Sequence, residues 1–112
     1  MPSKRSIESG DAVALADGVH VTPMSCGERI QMNYVRMDPG SRVDTHHHPN
    51  EQVTFVTAGQ ITLIIDGDPV VLTPGESVVI PGGAEHTAEA GDEEATAIDL
   101  FSPPRDDLPS FD

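Results

Sequence analysis

The chain has a single cysteine, Cys26, in 112 residues, so no disulfide can close within it and its core must hold the fold. That suits a reducing compartment. No apolar run approaches the roughly 20 residues that a bilayer span needs. The polar start, Met1 to Gly10, places no apolar stretch behind Lys4 and Arg5, so a secretory leader is not expected and the expected location is cytoplasmic. Positive charge is scarce as well: six basic residues, of which only Lys4 is a lysine, face 19 acidic ones for a formal net charge of −13. Phosphates are bound by clustered Lys and Arg, so neither nucleic acid nor an anionic membrane is an expected partner. The acid is spread through the chain rather than gathered in one tail. This fits a surface adapted to high salt as well as it fits a plain acidic soluble protein.

Helical apolar spacing is absent beyond a turn or so, as are internal repeats and low-complexity tracts. What remains is a succession of short segments punctuated by Gly, Pro and Asp. Residues 12–16 and 19–24 flank Asp17-Gly18, a strong hairpin signal. Residues 28–37 read as a longer strand, with Ile30, Met32 and Tyr34 on one face and Gln31, Asn33 and Val35 on the other. Neither face is wholly polar, so both are expected to be covered. Further strands are expected over 52–57, 60–65, 70–72, 77–80, 85–90 and 95–101, separated by turns such as Asp66-Gly67-Asp68-Pro69 and Pro81-Gly82-Gly83. The tail Ser102-Pro103-Pro104-Arg105 cannot extend the last strand, because proline has no amide hydrogen to donate. This rhythm predicts one all-β domain over 12–112, a sandwich or barrel, behind a flexible lead-in over 1–11. Cys26, Met24, Met32 and Met37 read as core filler, and His20 as an ordinary strand residue.

One stretch breaks the pattern: Thr45-His46-His47-His48-Pro49-Asn50-Glu51-Gln52-Val53. Neutral imidazole is the commonest nitrogen ligand of transition metals, and a segment giving several ligands to one ion must present them on one face. In an extended chain His46, His48 and Gln52 share a face while His47 and Glu51 point away, although Pro49-Asn50 makes that parity approximate. A solvated, incidental histidine run is the alternative.

The spacing Gly40-x5-His46-x-His48-x3-Gln52-x6-Gly59 resembles the first signature of the cupin superfamily, and Gly75-x5-Pro81-x-Gly83-x2-His86 resembles the second. Two departures stand out: Gln52 occupies the usual Glu position, and Ala90 the usual Asn position. The resemblance implies a small antiparallel jelly-roll β-barrel holding one divalent ion on His46, His48, Gln52 and His86. Three imidazoles and a neutral oxygen leave the ion its full charge, and such a site accepts Zn, Ni, Fe, Cu, Co or Mn. Gly40, Gly59, Gly75 and Gly83 read as turn formers and Pro81 as a strand end.

The tail, Asp99-Leu100-Phe101-Ser102-Pro103-Pro104-Arg105-Asp106-Asp107, resembles the end of the KdgF-type cupins of pectin and alginate breakdown, with Asp107 where they often have Phe. That likeness implies a small carboxylate substrate, conversion of 4,5-unsaturated monouronates into linear keto forms, Asp99 and Arg105 as catalytic residues, and Phe101 in the substrate pocket. Chemically, Arg105 suits a substrate carboxylate and Asp99 an acid–base step. Tyr34 and Gln60 are weaker pocket candidates. Two rival functions remain at this level, a metal-dependent cupin dioxygenase and a non-catalytic small-acid binder. Sheet edges of so small a barrel need cover, so a homodimer is expected. If the acidic surface is a high-salt adaptation, the melting temperature rises as KCl goes from low to molar concentration; a flat response refutes it.

Overall fold

The computed structural model describes residues 4–8 and 12–108. The expected lead-in thus lies partly outside the described residues. Ten strands follow one another: β1 Val13–Ala16, β2 Val19–Cys26, β3 Gln31–Met37, β4 Arg42–His46, β5 Glu51–Ala58, β6 Ile61–Ile65, β7 Asp68–Leu72, β8 Ser77–Ile80, β9 His86–Ala90 and β10 Ala95–Ser102. They form a six-stranded sheet, β1-β2-β3-β10-β5-β8, and a four-stranded sheet, β4-β9-β6-β7, antiparallel at every pairing. This is the expected all-β jelly roll, with no helix among the described residues.

The register explains the core. Across β3, β10 and β5 the inward side chains stand in rows: Gln31, Phe101 and Gln52 at one end, then Asn33, Asp99 and Thr54, then Val35, Ala97 and Val56. The apolar end of these rows meets Ile61, Leu63 and Leu72 of the facing sheet, with Val19, Met37, Ile80 and Ala95 completing the cluster. The sandwich is therefore apolar at one end and polar at the other, and the second end is where the histidines gather.

Some expectations are corrected. β3 starts at Gln31, so residues 28–30 stay outside it, and β7 starts at Asp68, with Pro69 tolerated on a sheet edge. Of the assumed core fillers only Met37 is fully buried; Cys26 is exposed and Met24 and Met32 half-buried, since they lie at a strand end or on the outer face. The turn glycines behave as their motifs require: Gly40, Gly59, Gly75 and Gly83 all have φ between 70° and 89°. Gly59 is also sterically bound, because a Cβ there would collide with the carbonyl oxygen of Glu94. The outer face of the large sheet carries an apolar patch too, with Met32, Leu100, Val53 and Val79 in one row and Tyr34, Ile98 and Phe55 in the next.

Candidate metal centre and its cavity

Two of the histidines start from adjacent strands: His46 closes β4, and its register partner is His86, which opens β9. His48 sits in the following loop, pressed against the turn before β9. The Gly83 amide donates to the His48 carbonyl at 2.8 Å, and a Cβ at Gly82 would run into the Pro49 carbonyl oxygen. Gln52 arrives from β5 in the other sheet. The ligand atoms of His46, His48 and His86 all lie within 4.8 Å of one another, and Gln52 Oε1 is 3.1 Å from His48 Nε2. His47 and Glu51 are exposed.

Hydrogen bonding sets the direction of every lone pair. The Nδ1 atoms of His46, His48 and His86 meet the backbone carbonyls of Asp44, Asn50 and Ala84 at 2.9, 3.0 and 2.9 Å. A carbonyl only accepts, so each Nδ1 carries the hydrogen and each Nε2 offers its lone pair. The Gln52 amide is oriented likewise: Nε2 donates to Thr54 Oγ1 at 3.0 Å, and Thr54 passes its own hydrogen to Asp99 Oδ1 at 2.7 Å. Gln52 Oε1 and His48 Nε2 are therefore two acceptors face to face, an arrangement that repels unless a cation or proton lies between them. His86 Nε2 is buried with no hydrogen-bond partner among the described residues. The donor set fits a transition-metal ion.

The electrostatics agree with that fit. Burial pushes the His48 pKa below its ordinary 6.5, helped by the Arg105 charge and opposed by its bonds to Gln52 and Asn50. His86 is lowered chiefly by burial, with the other imidazoles and Arg105 adding to it against the Ala84 bond. Both are thus held neutral, as ligation requires.

Behind the histidines, Asn33, Thr54, Asp99, Phe101 and Arg105 line the cavity between the sheets. Phe101 is 3% exposed and meets His48 edge-on, with ring centroids 5.7 Å apart. Arg105 lies over the Phe101 ring, 5.2 Å from its centroid, and donates from Nε and Nη2 to Asp107 at 2.9 and 2.7 Å. Its place is fixed by ties on the tail: the Asn50 amide donates to the Pro103 carbonyl at 2.6 Å, and the Arg105 amide to Gln31 Oε1 at 2.8 Å. Burial raises the Asp99 pKa above its ordinary 3.8, against the bonds from Thr54 and Gln52 and the Arg105 charge.

The structure thus brings His46, Gln52, His86, Asp99, Phe101 and Arg105 to one cavity, with His48 against Gln52 and Phe101. Tyr34 is not among them. It pairs with Ile98 and Thr22 on the outer face of β3, because side chains alternate and Asn33 takes the inward place. Gln60 lies elsewhere, in a groove with Gly59, Thr73 and Asp92. Asn33, Thr54 and Gln31 were not singled out by sequence. The signal for two of them was present, since Gln31 and Asn33 share parity with Val35 and Met37, a polar pair on a core face.

A family model described as the cupin domain matches residues 33–101. The chain belongs to the cupin family. Among solved structures this cupin is similar to KdgF from Halomonas sp., with a TM-score of 0.90 and 26% identity over 97% of this chain and 100% of that one. An RmlC-like cupin from Shewanella frigidimarina has a TM-score of 0.87 and 25% identity over 96% of each chain. The polyketide cyclase RemF from Streptomyces resistomycificus, at 19% identity and a TM-score of 0.82 over 100% of this chain and 89% of that one, shares the fold. No curated protein matches the chain.

The metal-stripped protein is expected to bind one equivalent of Zn²⁺ or Ni²⁺ near pH 7.5 by calorimetry and to lose it below about pH 6, as protons compete for Nε2. The stability of the stripped protein moves the same way. A His pKa lowered by folding contributes stability fully above the unfolded value of 6.5 and loses it as pH falls through the folded pKa. His48→Ala should abolish stoichiometric binding and still unfold cooperatively; retained binding overturns the ligand set.

Proposed function

We propose that this cupin opens 4,5-unsaturated monouronates to their linear keto forms, with a divalent transition metal held by His46, His48, Gln52 and His86. The reading is carried by one placement: the Asp99 carboxyl lies in the same cavity as Arg105 and the His46 and His86 imidazoles, which group with His48. The likeness to KdgF over nearly the whole of both chains supports it. The bound ion supplies Lewis acidity to a ligand oxygen.

The chain's own residues account for the rest. Arg105 has committed Nε and one Nη2 hydrogen to Asp107, and the remaining hydrogens of its fork are available to a substrate carboxylate. Phe101 gives that carboxylate end a flat apolar wall. Ring opening is an isomerisation: the hemiacetal hydroxyl loses its proton, the ring C–O bond breaks, and the resulting enol becomes a ketone by taking a proton on carbon. One group that accepts a proton and returns it balances the reaction. Asp99 fills that role, and a carboxyl whose pKa is raised by burial shuttles protons better near neutrality than an exposed one. Thr54 holds the carboxylate in place through its 2.7 Å bond.

Anaerobic incubation of the metal-loaded protein with lyase-generated unsaturated galacturonate or mannuronate is expected to bleach the ultraviolet absorbance of the conjugated enol. Turnover only in the presence of oxygen would favour a dioxygenase, and binding without turnover a sensing module. Asp99→Asn should lower kcat by about 10²- to 10⁴-fold with metal content unchanged. The same substitution should raise the melting temperature of the metal-free protein near pH 7. A carboxyl with a raised folded pKa destabilises the fold once pH exceeds that pKa, so the difference should close as pH falls toward 3.8.

We also propose that the apolar outer face bearing Phe55 and Val79, which are 38% and 53% exposed, is covered by a second copy of the chain. Light scattering in molar salt should give a dimer mass for the wild type and a monomer mass for Phe55→Glu; a monomeric wild type removes the proposal.

A further inference from the structure

Asn33 has no part in the reaction outlined above, yet it is placed as a ligand group. It lies directly across from Asp99 in the β3–β10 register, so the two side chains stand next to each other on the same face of the sheet. It lines the cavity, is 1% exposed, and neither Nδ2 nor Oδ1 has a hydrogen-bond partner among the described residues. A buried amide with both ends unsatisfied is costly, and an apolar residue at this position would be cheaper. The neighbouring strand gives it nothing: its register partner on β2 is Pro23, which has no amide hydrogen. The next inward row, Val35, Ala97 and Val56, is wholly apolar, so Asn33 marks the inner limit of polar chemistry on this strand.

We propose that Asn33 is a substrate-binding residue that reads one ring hydroxyl of the uronate, on the side of Asp99 away from Thr54. An amide offers one donor and one acceptor to the same neighbour, the complement of a hydroxyl, which donates once and accepts. A carboxylate, which only accepts, would leave Oδ1 unpaired, and Arg105 already provides for it. The cavity thus divides its recognition: the guanidinium fork takes the acid, the histidine side takes an oxygen donor, and Asn33 takes a hydroxyl held against the proton-transferring carboxyl. This assignment rests on the substrate class proposed above and adds the group that selects a hydroxylated acid over a deoxygenated one.

The test uses the metal-loaded protein, wild type and Asn33→Leu, which keeps the side-chain shape and removes both polar atoms. Affinities are measured by calorimetry for saturated galacturonate and each of its singly deoxygenated analogues. The wild type should bind one analogue about 10- to 100-fold more weakly than the parent, the range expected when a buried polar pair is left unmade. Asn33→Leu should erase that ratio by weakening the parent alone, with metal stoichiometry unchanged and the melting temperature of the free protein equal or higher. A variant that keeps the wild-type ratio for every analogue, or that loses affinity equally for all of them, refutes the hydroxyl contact and leaves the substrate class standing. A wild type that binds none of these sugars refutes the hydroxyl contact, while the turnover assay on unsaturated uronates decides the substrate class separately.

Discussion

Three backbone carbonyls, those of Asp44, Asn50 and Ala84, decide what this cavity can do. By taking the Nδ1 hydrogens of His46, His48 and His86 they commit each imidazole to one tautomer and turn its remaining lone pair toward a common point. Without them the same residues would be rotatable rings able to satisfy one another, and nothing would hold a gap open between them. The constraint is available because each carbonyl belongs to a residue two positions away from its histidine, so local backbone shape near a strand end sets the chemistry. Burial acts with it by keeping the rings neutral.

The six-stranded sheet is arranged around the same requirement. Its inward rows change from apolar to polar at a defined line, with Val35, Ala97 and Val56 on one side and Asn33, Asp99 and Thr54 on the other. Each buried polar group beyond that line forfeits on the order of 1–3 kcal/mol if left unpaired. Part of this is recovered through the chain from Gln52 to Thr54 to Asp99. Part is not, as the atoms of Asn33 and His86 that have no partner among the described residues show. Stability is surrendered where ligand chemistry is concentrated, and the apolar end of the sandwich offsets the loss.

Much of this was legible in the residues. Turn residues at regular intervals predicted the strands, and the resemblance to the two cupin signatures implied that His86, 38 residues beyond His48, would stand beside it. Parity placed His47 and Glu51 outside correctly, because extended chain alternates whatever it packs against. Parity could not say which face of residues 31–37 looks inward, since both faces mix polar and apolar side chains. Tyr34 and Asn33 were distinguished only once the neighbouring strands were in register. Met24, Met32 and Cys26 misled for a related reason: an apolar residue type carries no information on which of two sheet faces is closed. The ties that seat Arg105, from Asn50 to Pro103 and from Gln31 to the Arg105 amide, span 53 and 74 residues and left no local pattern to find.

One feature of the donor set reaches beyond chemistry. His46 and His86 belong to the smaller sheet and Gln52 to the larger, so a cation gripped by all of them would act as a rivet through the sandwich. Opening the two layers would then require releasing the ion, and resistance to unfolding would climb with the logarithm of free metal concentration once that exceeds the dissociation constant. The supply of metal in the surroundings would set how long a folded copy lasts, independently of any reaction it performs.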